Sequence, residues 1–398
     1  MNLTAPAEPG PVAAPSRALM PALCALAITG PMGSFLYLPA LPQLATDFAV
    51  SEAAIQGTLT AYLIGTCCGF AVFGALADRF GRLNVLTAAA GLFVVGSLGC
   101  AAADGLTSLT AARFLQGAGS VAGIITARAT IRMSWPPAGA RQMMAILSAS
   151  MGAAPAASPL IGSLLLAVLD WRATFVVAAI LSAAALGAAW VVLPGTRTAP
   201  AARTRLTANL SDLAGSAAYR STVLTGSACN ALFMAMMAGS PFVFIELAGM
   251  TPFTYSLVIG VALIGFSIVA VLSGRLAARV GSYNCALYGM APIALAAASL
   301  VAAGLFAEPL ALAGAIVFLI TAMGLIVPNV NMLMLDPFPA IAATAASMGL
   351  LVGTIAGAIS VTLFGLLAAG SMAGFGIFLA VLVGAIMTGF ALYPAAAR

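Results

Sequence analysis

The chain has no histidine and no lysine: its 15 basic residues are all arginine. With ten acids, charged side chains make up only 6% of 398 residues, against roughly 25% in soluble domains. So few ionisable groups cannot hold a surface of this size in water. A soluble globular enzyme and a disordered chain are both excluded. Without histidine the commonest general base and metal ligand is missing, and no paired carboxylates fall within the apolar runs. No catalysis, metal or cofactor is expected. The net charge of +5 comes from arginines scattered between apolar runs, which make no basic face for nucleic acid. The six cysteines, Cys24, Cys67, Cys68, Cys100, Cys229 and Cys285, lie in apolar stretches without zinc or disulfide spacing, so they read as small packing residues.

What is present is hydrophobic sequence, 63% of the chain. An apolar run of about 20 residues crosses a bilayer as a helix. Twelve such runs are predicted, near 18–42, 52–76, 83–103, 108–133, 141–168, 172–193, 220–247, 253–276, 283–305, 309–334, 339–369 and 374–395. The expected fold is all-α, twelve transmembrane helices in two pseudo-symmetric six-helix bundles. Residues 1–16, rich in Pro and Ala, read as a disordered cytoplasmic tail without the pattern of a signal peptide. Residues 17–193 form the first bundle, 194–219 a cytoplasmic linker and 220–398 the second bundle. Cytoplasmic termini place Arg17, Arg79, Arg82, Arg132, Arg141, Arg197, Arg203, Arg205, Arg220, Arg275, Arg279 and Arg398 inside and Arg172 outside, as the positive-inside rule requires.

The sequence repeats itself. Gly74 to Asn84 reads GALADRFGRLN, and 200 positions later Gly274 to Asn284 reads GRLAARVGSYN. Ser51 and Thr251, both candidate helix caps, keep the same offset. Two halves related by an axis along the membrane normal produce this pattern.

The loop from Gly74 through Asp78, Arg79 and Gly81 to Arg82 resembles the signature between the second and third helices of the major facilitator superfamily. Arg113-Phe-Leu-Gln116-Gly117-Ala-Gly119 is similar to a motif of its proton-coupled members. The fifth run, with Gly152, Pro155, Pro159 and Gly162, is similar to the antiporter motif of drug exporters. Tyr37-Leu-Pro-Ala-Leu-Pro42, Arg128-Ala-Thr-Ile-Arg132 and Asp170-Trp171-Arg172 resemble the Bcr/CflA branch of twelve-helix multidrug exporters. The resemblance implies a multi-pass protein of the bacterial inner membrane with a substrate site between the halves.

Each motif has a physical role to play. Asp78, at the cytoplasmic edge, is expected to bond Arg128, Arg132 or the start of the eleventh helix and so clamp the halves together on that side. Gly74 and its small neighbours permit close helix approach. Pro155 and Pro159 interrupt backbone bonding in the fifth helix. These residues, with Arg79, Gly81 and Arg82, make up the expected gating set. Arg113, inside the fourth span, costs at least ~2.5–3.5 kcal/mol to insert, so it should face a wet cavity or a partner such as Gln116. The candidate substrate-binding residues are Ser34, Tyr37, Tyr62, Arg113, Gln116, Met151, Asn230, Phe233, Met234 and Met237, the methionines being pliable surfaces for varied apolar ligands.

Two departures from the branch matter. Phe35 and Met133 stand where its members commonly carry acids. The pocket is therefore expected to be neutral to electropositive, favouring neutral or weakly anionic amphiphiles. The proton of an antiporter then falls to Asp78, to an edge acid or to the substrate itself, or the protein is a facilitator or importer of one metabolite. The expected partners are a small-molecule substrate, the lipid bilayer and protons. With both halves in one chain, a monomer suffices.

Overall fold

Lipid offers no hydrogen bonds, so each apolar run must satisfy its own backbone, which makes it a helix. The computed structural model describes residues 16–193, 212–338 and 341–394; nothing is described of the side chains at 74, 75, 77–79, 82, 132, 137, 138, 141, 145, 342–344 and 347. The expected tail and most of the expected linker thus lie outside the described residues, as do the side chains of Gly74, Asp78, Arg79, Arg82 and Arg132. The first six helices are α1 (Leu19–Phe35), α2 (Glu52–Phe80), α3 (Arg82–Ala101), α4 (Leu106–Gly119, continued by Ala122–Ser134), α5 (Pro137–Val168) and α6 (Arg172–Val192). The second six are α7 (Ala217–Pro241), α8 (Pro252–Val280), α9 (Ser282–Leu305), α10 (Pro309–Leu335), α11 (Ala342–Leu367) and α12 (Met372–Ala391).

Among the described residues, 11 helical stretches are long and apolar enough to cross a membrane. The twelfth span, α4, falls short because it is built from pieces of 14 and 13 residues. The break follows from Gly117-Ala-Gly119-Ser120. The Ser120 hydroxyl donates to the Gly117 carbonyl at 2.6 Å and its N–H donates to the same oxygen at 3.1 Å, tightening one turn. A second break follows α1, where a 3-10 turn (Leu38–Ala40) leads into a short helix (Leu41–Asp47). Pro39 and Pro42 sit in the first turns of these two pieces, where a missing N–H costs nothing.

The helices form two six-helix bundles with one packing scheme. In the first, α2 and α3 pack on α4, α3 packs on α6, and α1 packs on α5 and α6. In the second, α8 and α9 pack on α10, α9 packs on α12, and α7 packs on α11 and α12. The 200-residue repeat is visible in detail. Ser51 and Thr251 cap α2 and α8 by accepting from Ala54 and Thr254. Gly81 and Gly281 turn the chain at φ 85° and 83°, a region glycine enters without strain. Asn84 and Asn284 donate back to the Phe80 and Val280 carbonyls.

Chain direction sorts the charges into two ends. Asp47, Glu52, Asp104, Asp170, Glu246 and Glu308 lie at one, with Arg172. Arg17, Arg79, Arg82, Arg128, Arg132, Arg141, Arg220, Arg275 and Arg279 lie at the other, with Asp78, Asp212 and Asp336. We call these the acidic end and the arginine end.

Candidate substrate site and gates

The described bonds between the bundles lie in the half toward the acidic end. The α2–α11 seam carries a Thr60–Thr362 hydroxyl pair at 3.2 Å. Nearer the acidic end, Gly365 leaves room for Gln56 and Ala53; a Cβ there would stand 3.0 Å from Gln56 Oε1. At the α5–α8 seam the Ser256 hydroxyl donates to the Pro159 carbonyl at 2.9 Å, and Leu160 rests against Gly260. α5 runs unbroken through Pro155 and Pro159, and of the two Pro159 meets the other bundle. Gly152 opens onto free space, whereas a Cβ on Gly162 would strike the Leu36 carbonyl. A groove of about 450 Å³ spreads from the Thr60–Thr362 pair between α2 and α11, lined by Ile64, Cys67, Cys68, Ile355 and Ile359 among others. The bundles are thus closed toward the acidic end.

Arg113 is the one charged side chain buried to 0% exposure among the described residues. It lies seven residues into α4, about 10 Å along the axis. Its guanidinium is held between the rings of Tyr37 and Tyr62, with centroids at 4.2 and 4.4 Å, and Phe175 stands at 5.8 Å. Desolvated cation–ring contacts are worth about 2 kcal/mol each, enough to offset the insertion cost. Arg113 Nη1 donates to the Gly33 carbonyl at 2.8 Å and to Gln116 Oε1. Gln116 Nε2 in turn donates to the Ser97 hydroxyl at 2.8 Å. Arg113 Nε and Nη2 are buried without a protein acceptor, and among the described residues no carboxylate pairs with the guanidinium. The cage is fixed from outside: the Tyr62 hydroxyl donates to the Gly30 carbonyl at 2.7 Å, and the Tyr37 and Thr58 hydroxyls lie 3.3 Å apart.

The structure divides the sequence-derived binding set. Ser34, Tyr37, Tyr62, Arg113 and Gln116 form one buried knot inside the first bundle. Asn230, Phe233 and Met234 on α7 are half-buried. Asn230 donates to the Gly353 carbonyl at 2.7 Å, tying α7 to α11. Phe233 packs edge-on against Phe35 with centroids 5.7 Å apart, which joins the two groups across the bundle interface. Met237 is buried within the second bundle. Met151 stands apart, packed toward the arginine end with Leu19, Leu23 and Leu147.

Phe35, singled out in the sequence for the acid it replaces, joins the cluster, and Gly33, Ser97 and Phe175 complete it without having carried a signal in the sequence. The Gly33 contribution is a backbone carbonyl, and the others are ordinary apolar or small residues in apolar runs. The Asp170-Trp171-Arg172 string proves to be an anchor. Trp171 Nε1 donates to Asp47 at 2.9 Å, while Arg172 stacks on the Trp171 ring at 4.2 Å and pairs with Asp170 at 3.6 Å. Of the gating residues with described side chains, Arg128 is exposed in the second piece of α4.

Two bundles of one packing scheme meeting around a mid-depth cluster have the architecture of a membrane transporter. Residues 23–361 match the model of the Major Facilitator Superfamily, and the chain belongs to that family. The multidrug resistance protein D of Escherichia coli K12 is 30% identical over 202 residues, 51% of each chain. A chloramphenicol resistance protein of Pseudomonas aeruginosa is 35% identical over 169 residues, 42% of this chain and 40% of the relative. These matches span about half the length of the relatives or less. The crystal structure of a D-xylose–proton symporter superposes with a TM-score of 0.77 at 17% identity, covering 94% of this chain and 97% of that one, a likeness of fold.

Proposed function

We propose that the protein exports small neutral or weakly anionic amphiphiles by alternating access, driven by proton antiport, with the arginine end and both termini in the cytoplasm. The observation that carries this reading is the caged Arg113. It holds a fixed positive charge on the carbonyl of Gly33, two residues before the Phe35 that meets Phe233, with no carboxylate paired to it among the described residues. Arginine stays protonated throughout any cycle (pKa above ~12), so it repels cations in every state. Relatives named for multidrug and chloramphenicol resistance support drug-like substrates. The arginine-rich end supports the orientation through the positive-inside rule. In this frame the structure stands closed to the outside. The bundles rock about the site, Asp78 serves the inner clamp and one chain suffices. Residues 17–193 and 220–398 act as the moving halves, joined by the linker 194–219.

The test is drug accumulation in an efflux-deficient bacterial host. Chloramphenicol, a neutral amphiphile, is expected to accumulate less when the protein is made, and a protonophore should restore its level. Ethidium, a fixed cation, should accumulate equally with and without the protein. Unchanged chloramphenicol with the protein present in the membrane would instead favour the facilitator or importer of one metabolite.

Phe35→Asp probes the same charge argument. It places a carboxylate two residues from the Gly33 carbonyl that Arg113 holds. Ethidium export should rise severalfold over background at equal expression. No gain would mean that pocket charge does not set the selectivity.

A further inference from the structure

Serine and threonine hydroxyls on these helices mostly bond their own backbone. On α11 Thr354 donates to the Leu350 carbonyl at 2.8 Å and Thr362 to the Ala358 carbonyl at 3.1 Å, each four residues back. Ser267 on α8 and Ser299 on α9 do the same. Ser360 departs from the pattern. It is 3% exposed, and its hydroxyl bonds neither the Ala356 carbonyl nor any other group. An unbonded hydroxyl out of water is costly, and a partner from outside the chain removes that cost.

The same serine stands in the wall of a groove of about 670 Å³ between α11 and α12. Ala231 of α7 lies at its floor, Ile359 and Leu367 on the α11 side, and Phe378 and Val381 on the α12 side. Ala231 is buried, whereas Ile359, Leu367 and Val381 are exposed apolar side chains, so the mouth faces lipid. Along α11 the groove runs from Ala356 to Ala368, ~18 Å of helix toward the acidic end. Ser360 has the only polar side chain in the described lining, and no lining residue is charged. Ile359 also borders the α2–α11 groove. An occupant therefore packs behind the helix whose Thr362 and Gly365 meet the first bundle.

These features narrow the occupant. A space of this size open to hydrocarbon does not stay empty. An uncharged lining excludes an ion. Water needs two to four polar partners, and one hydroxyl is not enough. A plain acyl chain suits the walls but leaves Ser360 unbonded. We propose that the α11–α12 groove is a second binding site, for a neutral lipid-soluble amphiphile whose carbonyl oxygen accepts a hydrogen bond from the Ser360 hydroxyl while its apolar body lies along the two helices. A rotation of Ser360 between staggered χ1 wells turns the hydroxyl to that oxygen. The site is separate from the Arg113 cluster and depends neither on the direction of transport nor on the driving ion.

The experiment is photolabelling of the full chain in lipid nanodiscs with benzophenone, a neutral two-ring ketone that inserts into neighbouring C–H bonds when irradiated. Cyanogen bromide cleavage after Met348, Met372 and Met387 isolates residues 349–372 and 373–387, which carry the two walls. The fragment 251–290, released at Met250 and Met290, reports the lipid-facing surface of α8. Label is expected to concentrate in the two wall fragments and to saturate with dose. S360A removes the hydroxyl and leaves the walls in place. It should raise the half-saturating concentration about three- to tenfold and leave the labelling of 251–290 unchanged. Hexadecane, an apolar chain without an acceptor, should compete weakly with benzophenone in the parent. Label spread over 251–290 and the wall fragments alike would overturn the site. Saturable wall labelling that ignores S360A and yields to hexadecane would make the groove a seat for acyl chains, which also overturns the proposal.

Discussion

Replacing Arg113 by methionine is expected to lower chloramphenicol export at least tenfold while the protein remains folded. The balance of terms explains why the fold survives. The substitution forfeits two ring contacts of about 2 kcal/mol each and a charged hydrogen bond worth about 1.5–3 kcal/mol. It regains the ~2.5–3.5 kcal/mol that an arginine costs in the bilayer. It also keeps an apolar stem of similar length between Tyr37 and Tyr62. The net loss of about 2–4.5 kcal/mol should lower the thermal midpoint by several degrees without unfolding the protein. Alanine is the contrasting case: it also empties the cage and should cost about 2–5 kcal/mol more. Lysine keeps the charge but loses the planar guanidinium stacked between Tyr37 and Tyr62, so its export should fall with the charge preserved. Midpoints in detergent, read beside accumulation in cells, separate the three. A methionine variant that exports normally would show that Arg113 pins helices and does nothing further. A methionine variant that fails to fold would show that the cage is a structural requirement.

The second large effect is expected at Gly117. A single methyl group there would overlap the Tyr62 carbonyl, where α4 crosses α2 backbone against backbone. A rigid carbonyl cannot swing aside as a side-chain tip can, so the two helices would have to separate. Two further glycines on α4 meet other helices in the same way. Gly119 faces the Ala89 carbonyl of α3, and Gly123 faces the Leu26 carbonyl of α1. Membrane helices gain their association from such close packing. Gly117→Val should therefore leave little or no folded protein in the membrane. Gly91→Ala, on α3 where a Cβ would meet nothing within 4 Å, should express and melt like the parent. Equal yields of the two variants would refute the crossing geometry.

The helices were legible in the sequence because span length and apolar content are local properties. The predicted spans 220–247 and 309–334 correspond to α7 with its π-helical turn and to α10. The repeat was legible because caps and turns are local too. Ser51 and Thr251 accept the bonds expected of them, and Gly81 and Gly281 share one turn geometry. The site was legible only in part. Arg113 and Gln116 stand out as polar residues in an apolar run, and the structure joins them. Their partners Gly33 and Ser97 lie 80 and 19 positions away along the chain, and no spacing rule links them. Met151 and Met237 match Met234 in chemistry, and their placement depends on which face of a helix meets the other bundle.

The break in α4 has a consequence for how the protein is made. Neither piece, of 14 and 13 residues, is long enough to be held in the bilayer on its own merits, and the first carries an arginine. α4 needs the tyrosines of the α1 extension and of α2 for its charge, and the carbonyls of α1, α2 and α3 for its glycines. All of these are synthesised before it. During translation α4 is therefore expected to settle into a pocket that the first three spans have already shaped, which would make the least hydrophobic member the one that orders biogenesis of the first bundle. A defect in α1 to α3 would surface at the ribosome as a fourth span that fails to stay in the membrane, well before any substrate is encountered.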